Sequence, residues 1–289
     1  MSQILKVENL THTYGGNTPF INDAVKGVSF TVESGDIVGI IGHTGSGKST
    51  LVQHLNGLLK PTEGNIYLNG LDIWKDYKSI KEVRAKVGLV FQYPEYQLFE
   101  ETVFADIAFG PKNLGLSGKE LDDRVKEICR VVEIKEEYLD KSPFDLSGGE
   151  KRRVAIAGVM AMRPELIVFD EPVAGLDPKG RRDIVKIIAD YRKAYNATVL
   201  IVSHNMEDMA ILTDKLLVMN AGELALYDTT ENVFRQREQL REIGLNVPIV
   251  TRVLDKIGEK GFKMPDDIFT VDRAVEYLLS LKKGGADNA

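Results

Sequence analysis

The run Ile37-Val38-Gly39-Ile40-Ile41 leads directly into Gly42-His43-Thr44-Gly45-Ser46-Gly47-Lys48-Ser49, and a helical pattern over 49–59 follows at once. A short apolar strand, a glycine-rich turn and a helix, in that order, make a unit that holds phosphate. Phosphate needs close approach of the backbone, which Gly42, Gly45 and Gly47 allow, and amide N–H groups at a positive helix end, which the turn supplies. In this spacing Lys48 reaches the β and γ phosphates and Ser49 is a magnesium ligand, while Ser46 and Thr50 complete the expected binding loop.

Two further stretches gain meaning from that loop. Leu166-Ile167-Val168-Phe169-Asp170-Glu171 reads as a buried strand ending in two acids, where an apolar strand normally ends in a neutral turn. Beside a phosphate loop, Asp170 is placed to hold magnesium through water and Glu171 to polarise the water that attacks the γ phosphate in line. Leu146-Ser147-Gly148-Gly149-Glu150 opens a helix with two glycines in its first turn. Each glycine there costs about 1 kcal/mol relative to alanine, so bare N–H groups at a positive helix end point to a second phosphate-binding surface. Two such surfaces far apart in sequence, sharing one γ phosphate, imply a dimer in which each chain closes the other's site.

Around these motifs, short apolar runs alternate with helical periodicity, the pattern of an α/β fold with a parallel sheet covered by helices. Strands are expected over 4–10, 28–32, 37–41, 65–69, 87–91, 166–170, 198–202, 215–219 and 224–227, the early and late ones as an antiparallel flank. Residues 93–163 carry no strand pattern and two capping-box starts, Ser117 with Glu120 and Ser147 with Glu150, and read as a helical insertion. After Asp228 the pattern changes again. Ile249, Val250, Val253, Leu254 and Ile257 share one helical face, and Val275, Leu278 and Leu279 repeat the theme. The expected division is a nucleotide-binding domain over 1–230, with its helical subdomain over 93–163, and a helical appendix over 231–289 whose last six residues fray.

Composition narrows the function. With 43% hydrophobic and 28% charged residues, the 289-residue chain is an ordinary globular one. It has no stretch near the ~20 apolar residues that cross a bilayer, and its first residues alternate like a strand instead of forming a leader. A net charge of -6 supplies no field for nucleic acid. Cys129 stands alone on the apolar side of a helix and reads as packing, while His12, His43 and His54 lack the spacing of zinc ligands. Trp74 lies in a mixed loop and carries no signal, and the basic pair Arg152 and Arg153 is expected to face solvent or a partner.

The phosphate loop, Leu146 to Glu150 and Asp170-Glu171 are joined by Gln92 after the strand over 87–91, by Gly175-Leu176-Asp177 and by His204 after the strand over 198–202. In order and spacing over residues 1 to about 230, this set resembles the nucleotide-binding subunit of ABC transporters. The resemblance implies an ABC-type P-loop ATPase using ATP and Mg2+. In it Tyr14 stacks on the adenine, Gln92 senses magnesium and contacts the membrane partner, Asp177 lies at the dimer seam, His204 contacts the γ phosphate, and residues 146–150 act on the partner's nucleotide. The family often has Thr or Ser where this chain has Val173.

A narrower resemblance rests on the phosphate loop running into Gln53-His54-Leu55-Asn56, on Tyr93-Pro94-Glu95-Tyr96-Gln97-Leu98-Phe99-Glu100-Glu101-Thr102-Val103, and on Phe109-Gly110-Pro111-Lys112-Asn113. These are similar to the ATPases of energy-coupling factor (ECF) importers, and the His-Thr-Gly loop and Phe-Glu-Glu-Thr-Val run to the second of their two paired subunits. That implies uptake of vitamins or transition-metal ions from the cytoplasmic face of the cell membrane. The implied partners are a second homologous ATPase (a heterodimer before a homodimer), a transmembrane coupling protein and a substrate-capturing membrane protein, with no nucleic acid. The alternatives are the ATPase of an importer served by a soluble binding protein, a non-transport ABC ATPase, and a subunit that binds nucleotide without turnover. The short interval from Lys48 to Leu146 opposes the second, and Glu171 with His204 opposes the third. Tyr93, Tyr96, Leu98 and Phe99 within a rim of Glu95, Glu100 and Glu101 are the expected docking surface for a basic helix of the membrane partner.

Overall fold

The computed structural model describes residues 2–15, 21–262 and 264–286. Its strands are β1 (Gln3–Tyr14), β2 (Asn22–Glu33), β3 (Ile37–Ile41), β4 (Glu63–Leu68), β5 (Leu71–Asp72), β6 (Val87–Val90), β7 (Leu166–Asp170), β8 (Thr198–Val202), β9 (Lys215–Asn220) and β10 (Glu223–Thr229). The six-stranded sheet has the order β10-β9-β3-β8-β7-β6 and is parallel except for β10. Every residue of β3, β7 and β8 is buried, as befits parallel strands covered on both faces. Ligands bind beyond the carboxyl ends of such strands, and there Ile41 leads into the phosphate loop while Asp170 lies beside Val202.

The antiparallel flank differs from the expectation. β1, β2, β4 and β5 form a sheet of their own, order β2-β1-β4-β5, but β9 pairs parallel to β3 inside the main sheet, leaving β10 as the antiparallel late strand. β1 and β2 are also longer than their alternation indicates, 12 residues each. Bulges explain the difference, because their register slips between Val7 and Leu10 and again beyond it, so the apolar face does not keep a period of two.

The α-helices are α1 (Lys48–Leu55), α2 (Ile80–Lys86), α3 (Val103–Asn113), α4 (Gly118–Val131), α5 (Gly148–Met160), α6 (Pro178–Tyr195), α7 (Met206–Leu212), α8 (Thr230–Arg235), α9 (Arg237–Glu242), α10 (Ile249–Gly258) and α11 (Val271–Ala286). Among the described residues none is long and apolar enough to cross a membrane. Between 93 and 163 lie α3, α4, α5 and short 3-10 turns. The Ser147–Glu150 capping box forms, whereas Ser117 precedes α4 without a side-chain cap, since Gly118 takes a φ of +55° and turns the chain off the helical path. Cys129 packs beside Val125 and Ile128, and burial pushes its thiol up to about 12.

The hydrophobic core does not break at residue 230. Val233, Phe234, Leu240, Leu245, Val247 and Phe269 belong to the same buried cluster as α3–α6 and one face of the main sheet. Farther along, Leu254, Ile268 and Ala274 form a small separate cluster, with Val250 and Ile257 against it. Ile249, Val253, Val275, Leu278 and Leu279 are exposed, so the expected apolar faces of α10 and α11 are covered only in part. Of the six residues expected to fray, 284–286 end α11 and 287–289 lie outside the described residues.

Candidate nucleotide site

The phosphate loop is wedged between two backbones. Gly47 starts α1 with a φ of +98°, and a Cβ there would sit 2.3 Å from the Ala24 carbonyl oxygen. At Gly42 a Cβ would meet the Met219 carbonyl oxygen at 2.4 Å. Lys48 Nζ donates to the carbonyls of Gly42 (2.8 Å) and His43 (2.9 Å), which folds its ammonium over the loop. Burial lowers its pKa, against the opposing charges of Glu171 and Asp170.

Across the cleft, Asp170 ends β7 almost fully buried. Burial raises its carboxyl pKa, a hydrogen bond from Ser49 holds it back, and the Glu171 charge adds to the rise. The next residue, Glu171, has a φ of +51°, a left-handed backbone that costs energy in a residue with a Cβ. Its N–H donates to the Val202 carbonyl at 3.0 Å. Its Oε1 accepts from His204 Nδ1 at 2.9 Å, and its Oε2 is buried with no protein partner. His204 is 76% exposed at its side chain, so the pair has one dry end and one open end.

These groups face one cleft of ≈ 520 Å³ that holds Tyr14, Gly45, Gly47, Lys48, Ser49, Thr50, Gln92, Asp170, Glu171 and His204 together. Ser46, by contrast, is fully buried beneath the loop. The sequence reading missed Asn22, Asp23, Ala24 and Thr44, which also line the cleft. Strand alternation carries no mark for the first three, which lie at the start of β2, and Thr44 is one of the loop's variable positions. It also missed a relay behind Tyr14. The Tyr14 hydroxyl lies 3.4 Å from Thr50 Oγ1, and its ring meets His12 edge to face at 4.5 Å. His12 Nδ1 in turn donates to Nε2 of the buried His54 (3.1 Å), whose Nδ1 donates to the Thr50 carbonyl (2.7 Å). Burial lowers the pKa of His54, which keeps that ring neutral and able to accept.

The Leu146 to Glu150 motif does not line this cleft. Ser147, Gly148 and Gly149 are exposed at the start of α5, and a Cβ on either glycine would meet nothing within 4 Å. The Ser147 hydroxyl and N–H both donate to Glu150 Oε2, at 2.6 and 2.9 Å, and hold its carboxyl below the usual range. Asp177 caps α6, accepting from Gly180 N at 2.7 Å. The appendix does reach the phosphate end, where Gly244, Leu245 and Asn246 line a second cleft of ≈ 480 Å³ with Gly42, His43, Lys48, Glu171 and His204.

Arg152 corrects an expectation. Its side chain is 2% exposed and lies inside the molecule, not toward solvent or a partner. Nε and one terminal nitrogen donate to the two oxygens of Glu95 (2.9 and 2.8 Å), and the other donates to the carbonyls of Pro172 (3.3 Å) and Ala174 (2.7 Å). A buried guanidinium needs this many acceptors, and none is near it in sequence. Glu95 therefore leaves the expected acidic rim.

The donor set fits a hard cation. The Ser49 hydroxyl, the Gln92 carboxamide and the buried Asp170 carboxylate are oxygen donors on one cleft. Among the described residues no group of three His, Cys, Asp or Glu is placed to hold a metal ion. Asp170→Asn tests the cost of the buried charge. Its folded pKa lies above 3.8, so its contribution to stability is full below that value and lost as pH rises through the folded pKa. At pH 7 the Asn variant should melt about 2–4 °C higher than the parent, with the gain fading toward pH 4 and the magnesium-dependent stabilisation by ATP lost. Scanning calorimetry at the two pH values, with and without Mg·ATP, decides; an apo variant that melts lower at pH 7 would overturn this account of Asp170.

Fold and site together define a P-loop ATPase. The family model described as ABC transporter matches residues 25–174, and one described as an AAA domain matches 140–210. The energy-coupling factor transporter ATP-binding protein EcfA2 of Caldanaerobacter subterraneus subsp. tengcongensis is 52% identical over 97% of this chain and 98% of its own length. The protein of the same name from Clostridium tetani is 51% identical over 98% and 99%. Among solved structures, cbiO1 from Clostridium perfringens, part of the ABC transporter complex cbiONQ, has a TM-score of 0.75 and 36% identity over 88% of this chain and 100% of its own. The dimeric bacterial ABC transporter cassette MJ0796 has a TM-score of 0.70 and 29% identity, over 78% and 99%. The chain belongs to the ABC transporter family, among the ATP-binding subunits of energy-coupling factor transporters, and it hydrolyses ATP to drive transport.

Proposed function

We propose that the chain works beside a second homologous ATPase, in a heterodimer before a homodimer, on the cytoplasmic face of the membrane. There it energises uptake of vitamins or metal ions through a transmembrane coupling protein and a substrate-capturing membrane protein. One observation carries the shared-site reading: the cleft holds the phosphate loop, the cation donors and the Glu171–His204 pair, while Ser147, Gly148 and Gly149 stand outside it, exposed, with open space around both glycines.

In this reading Gly42, Gly45, Ser46, Gly47, Lys48, Ser49 and Thr50 bind the phosphates and Tyr14 packs on the adenine. Ser49, Gln92 and, through water, Asp170 hold Mg2+, which neutralises phosphate charge when bound. The Glu171 carboxylate orients the attacking water and takes its proton, and His204, paired with its Oε1, reaches the γ phosphate. Ser147 with the N–H groups of Gly148 and Gly149 closes the partner's nucleotide, and Asp177 sits at the seam.

A groove near α3 supports a docking surface for the membrane protein. A groove of ≈ 650 Å³ passes Leu98, Phe99, Phe109, Gly110, Val159 and Met162, with Phe99 and Phe109 edge to face at 5.0 Å. Asp106 Oδ2 is buried there without a protein partner, and Glu100 and Glu101 follow Phe99 in sequence. The lining carries one acid, Asp106, beside two bases, Lys81 and Arg84, so it is the apolar anchors, and not the charge, that suit an amphipathic helix of the membrane protein. Phe99 is 60% exposed, so Phe99→Glu should leave folding and ATP binding intact and cut the membrane protein recovered with the ATPase about tenfold. Purification from native membranes tests both points: recovery of a second similar ATPase with a small membrane protein supports the energy-coupling reading, and a soluble binding protein as the required companion favours the other importer class. Full assembly by the Phe99→Glu variant would move the docking surface elsewhere.

A further inference from the structure

Arg152 joins its own helix to two parts of the molecule that are remote from it in sequence. It grows from α5, five residues beyond Ser147 and on the helix that this motif opens. It grips Glu95 with both carboxylate oxygens engaged, and Glu95 belongs to the 3-10 turn Pro94–Gln97 that follows Gln92 and precedes the groove residues Leu98 and Phe99. It also holds the carbonyls of Pro172 and Ala174, in the turn that immediately follows Glu171. The ring of Tyr93 stacks against its guanidinium at 5.7 Å, and a Cβ on Gly175 would lie 3.4 Å from the same ring. The contacts thus close a loop: groove segment, arginine, turn, tyrosine, groove segment.

Both ends of this arrangement are under backbone strain. Tyr93 has a φ of +55° and Glu171 one of +51°, conformations that persist only where the surroundings dictate them. The surroundings common to both are the four acceptors and the ring gathered on Arg152.

We propose that Arg152 is a positioning residue that ties the groove segment 93–97 to the turn 171–175, so that the membrane protein's contact and the water-activating Glu171 move as one piece. This rests on the reading of the groove as the membrane protein's docking surface. Lysine cannot substitute, because one ammonium cannot span two carboxylate oxygens and two carbonyls at once.

The test uses the assembled importer with Arg152→Lys in this chain. The expected result is an unchanged KM for ATP, a kcat about tenfold lower, and fewer substrate molecules carried per ATP hydrolysed. A merely structural arginine would lower the melting temperature and yield while leaving transport per ATP at the parent value, and that result would overturn the proposal. A second measurement needs no variant: hydrogen exchange of the parent complex with and without Mg·ATP. Joint changes in protection over 93–97 and 171–175 support the tie, and a change confined to 171–175 refutes it. A parent complex with no nucleotide-dependent change at 171–175 and no hydrolysis would sink the site reading itself, and the tie with it.

Discussion

Glu171→Gln should bind ATP as tightly as the parent and turn it over about a thousandfold more slowly, the range expected when a general base is removed. Gln keeps the size of the side chain and leaves Lys48, Ser49 and the wedged loop untouched, so the cradle survives. Proton acceptance by the carboxylate does not survive. A carboxamide is a poor base, and its nitrogen can turn toward His204, where the carboxylate now accepts at 2.9 Å. Phosphate release under saturating Mg·ATP, with affinity measured separately by a fluorescent nucleotide, separates the two effects. Parent-rate hydrolysis by the paired complex would remove Glu171 from its assigned place.

Ser147→Arg should act on the other chain's nucleotide. Ser147 and the glycines after it are exposed, so the larger side chain meets no wall in its own subunit. The variant loses a helix cap worth about 1 kcal/mol and places a cation at a positive helix end, a modest cost to stability. At the seam the effect is larger: about a hundredfold slower hydrolysis at the partner's site, as when a positioned donor to a developing charge is lost. The clean measurement silences this chain's own site with Glu171→Gln, so that all remaining turnover comes from the partner's phosphate loop. Nucleotide binding at this chain's Lys48 should stay within about twofold of the parent, since a cleft formed in cis owes nothing to Ser147. Loss of that binding, instead of loss of the partner's turnover, would break the shared-site reading.

The strands β3, β7 and β8 could be read residue for residue because both faces of a parallel sheet are covered, which produces unbroken apolar runs with turns at each end. The groups that chemistry requires at those strand ends, Lys48, Ser49, Asp170, Glu171 and His204, were legible for the same reason, and the fold brings them to one cleft. What escaped depends on partners far along the chain. β9 looks like a flank strand until its pairing with β3, some 180 residues away, is known. Arg152 reads as a surface cation because nothing local reveals Glu95, 57 residues earlier, or the two carbonyls that complete its shell. Ser117 has the letters of a capping box and is defeated by one torsion at Gly118.

The wedge around the phosphate loop bears on timing. A loop pressed between the carbonyls of Ala24 and Met219 has no slack, so its shape is settled when the chain folds and nucleotide arrival does not have to order it. A preformed loop of this kind does not itself set the timing of the cycle by folding around its ligand. On the shared-site reading proposed above, the pacing of the cycle falls instead to the meeting and parting of two subunits.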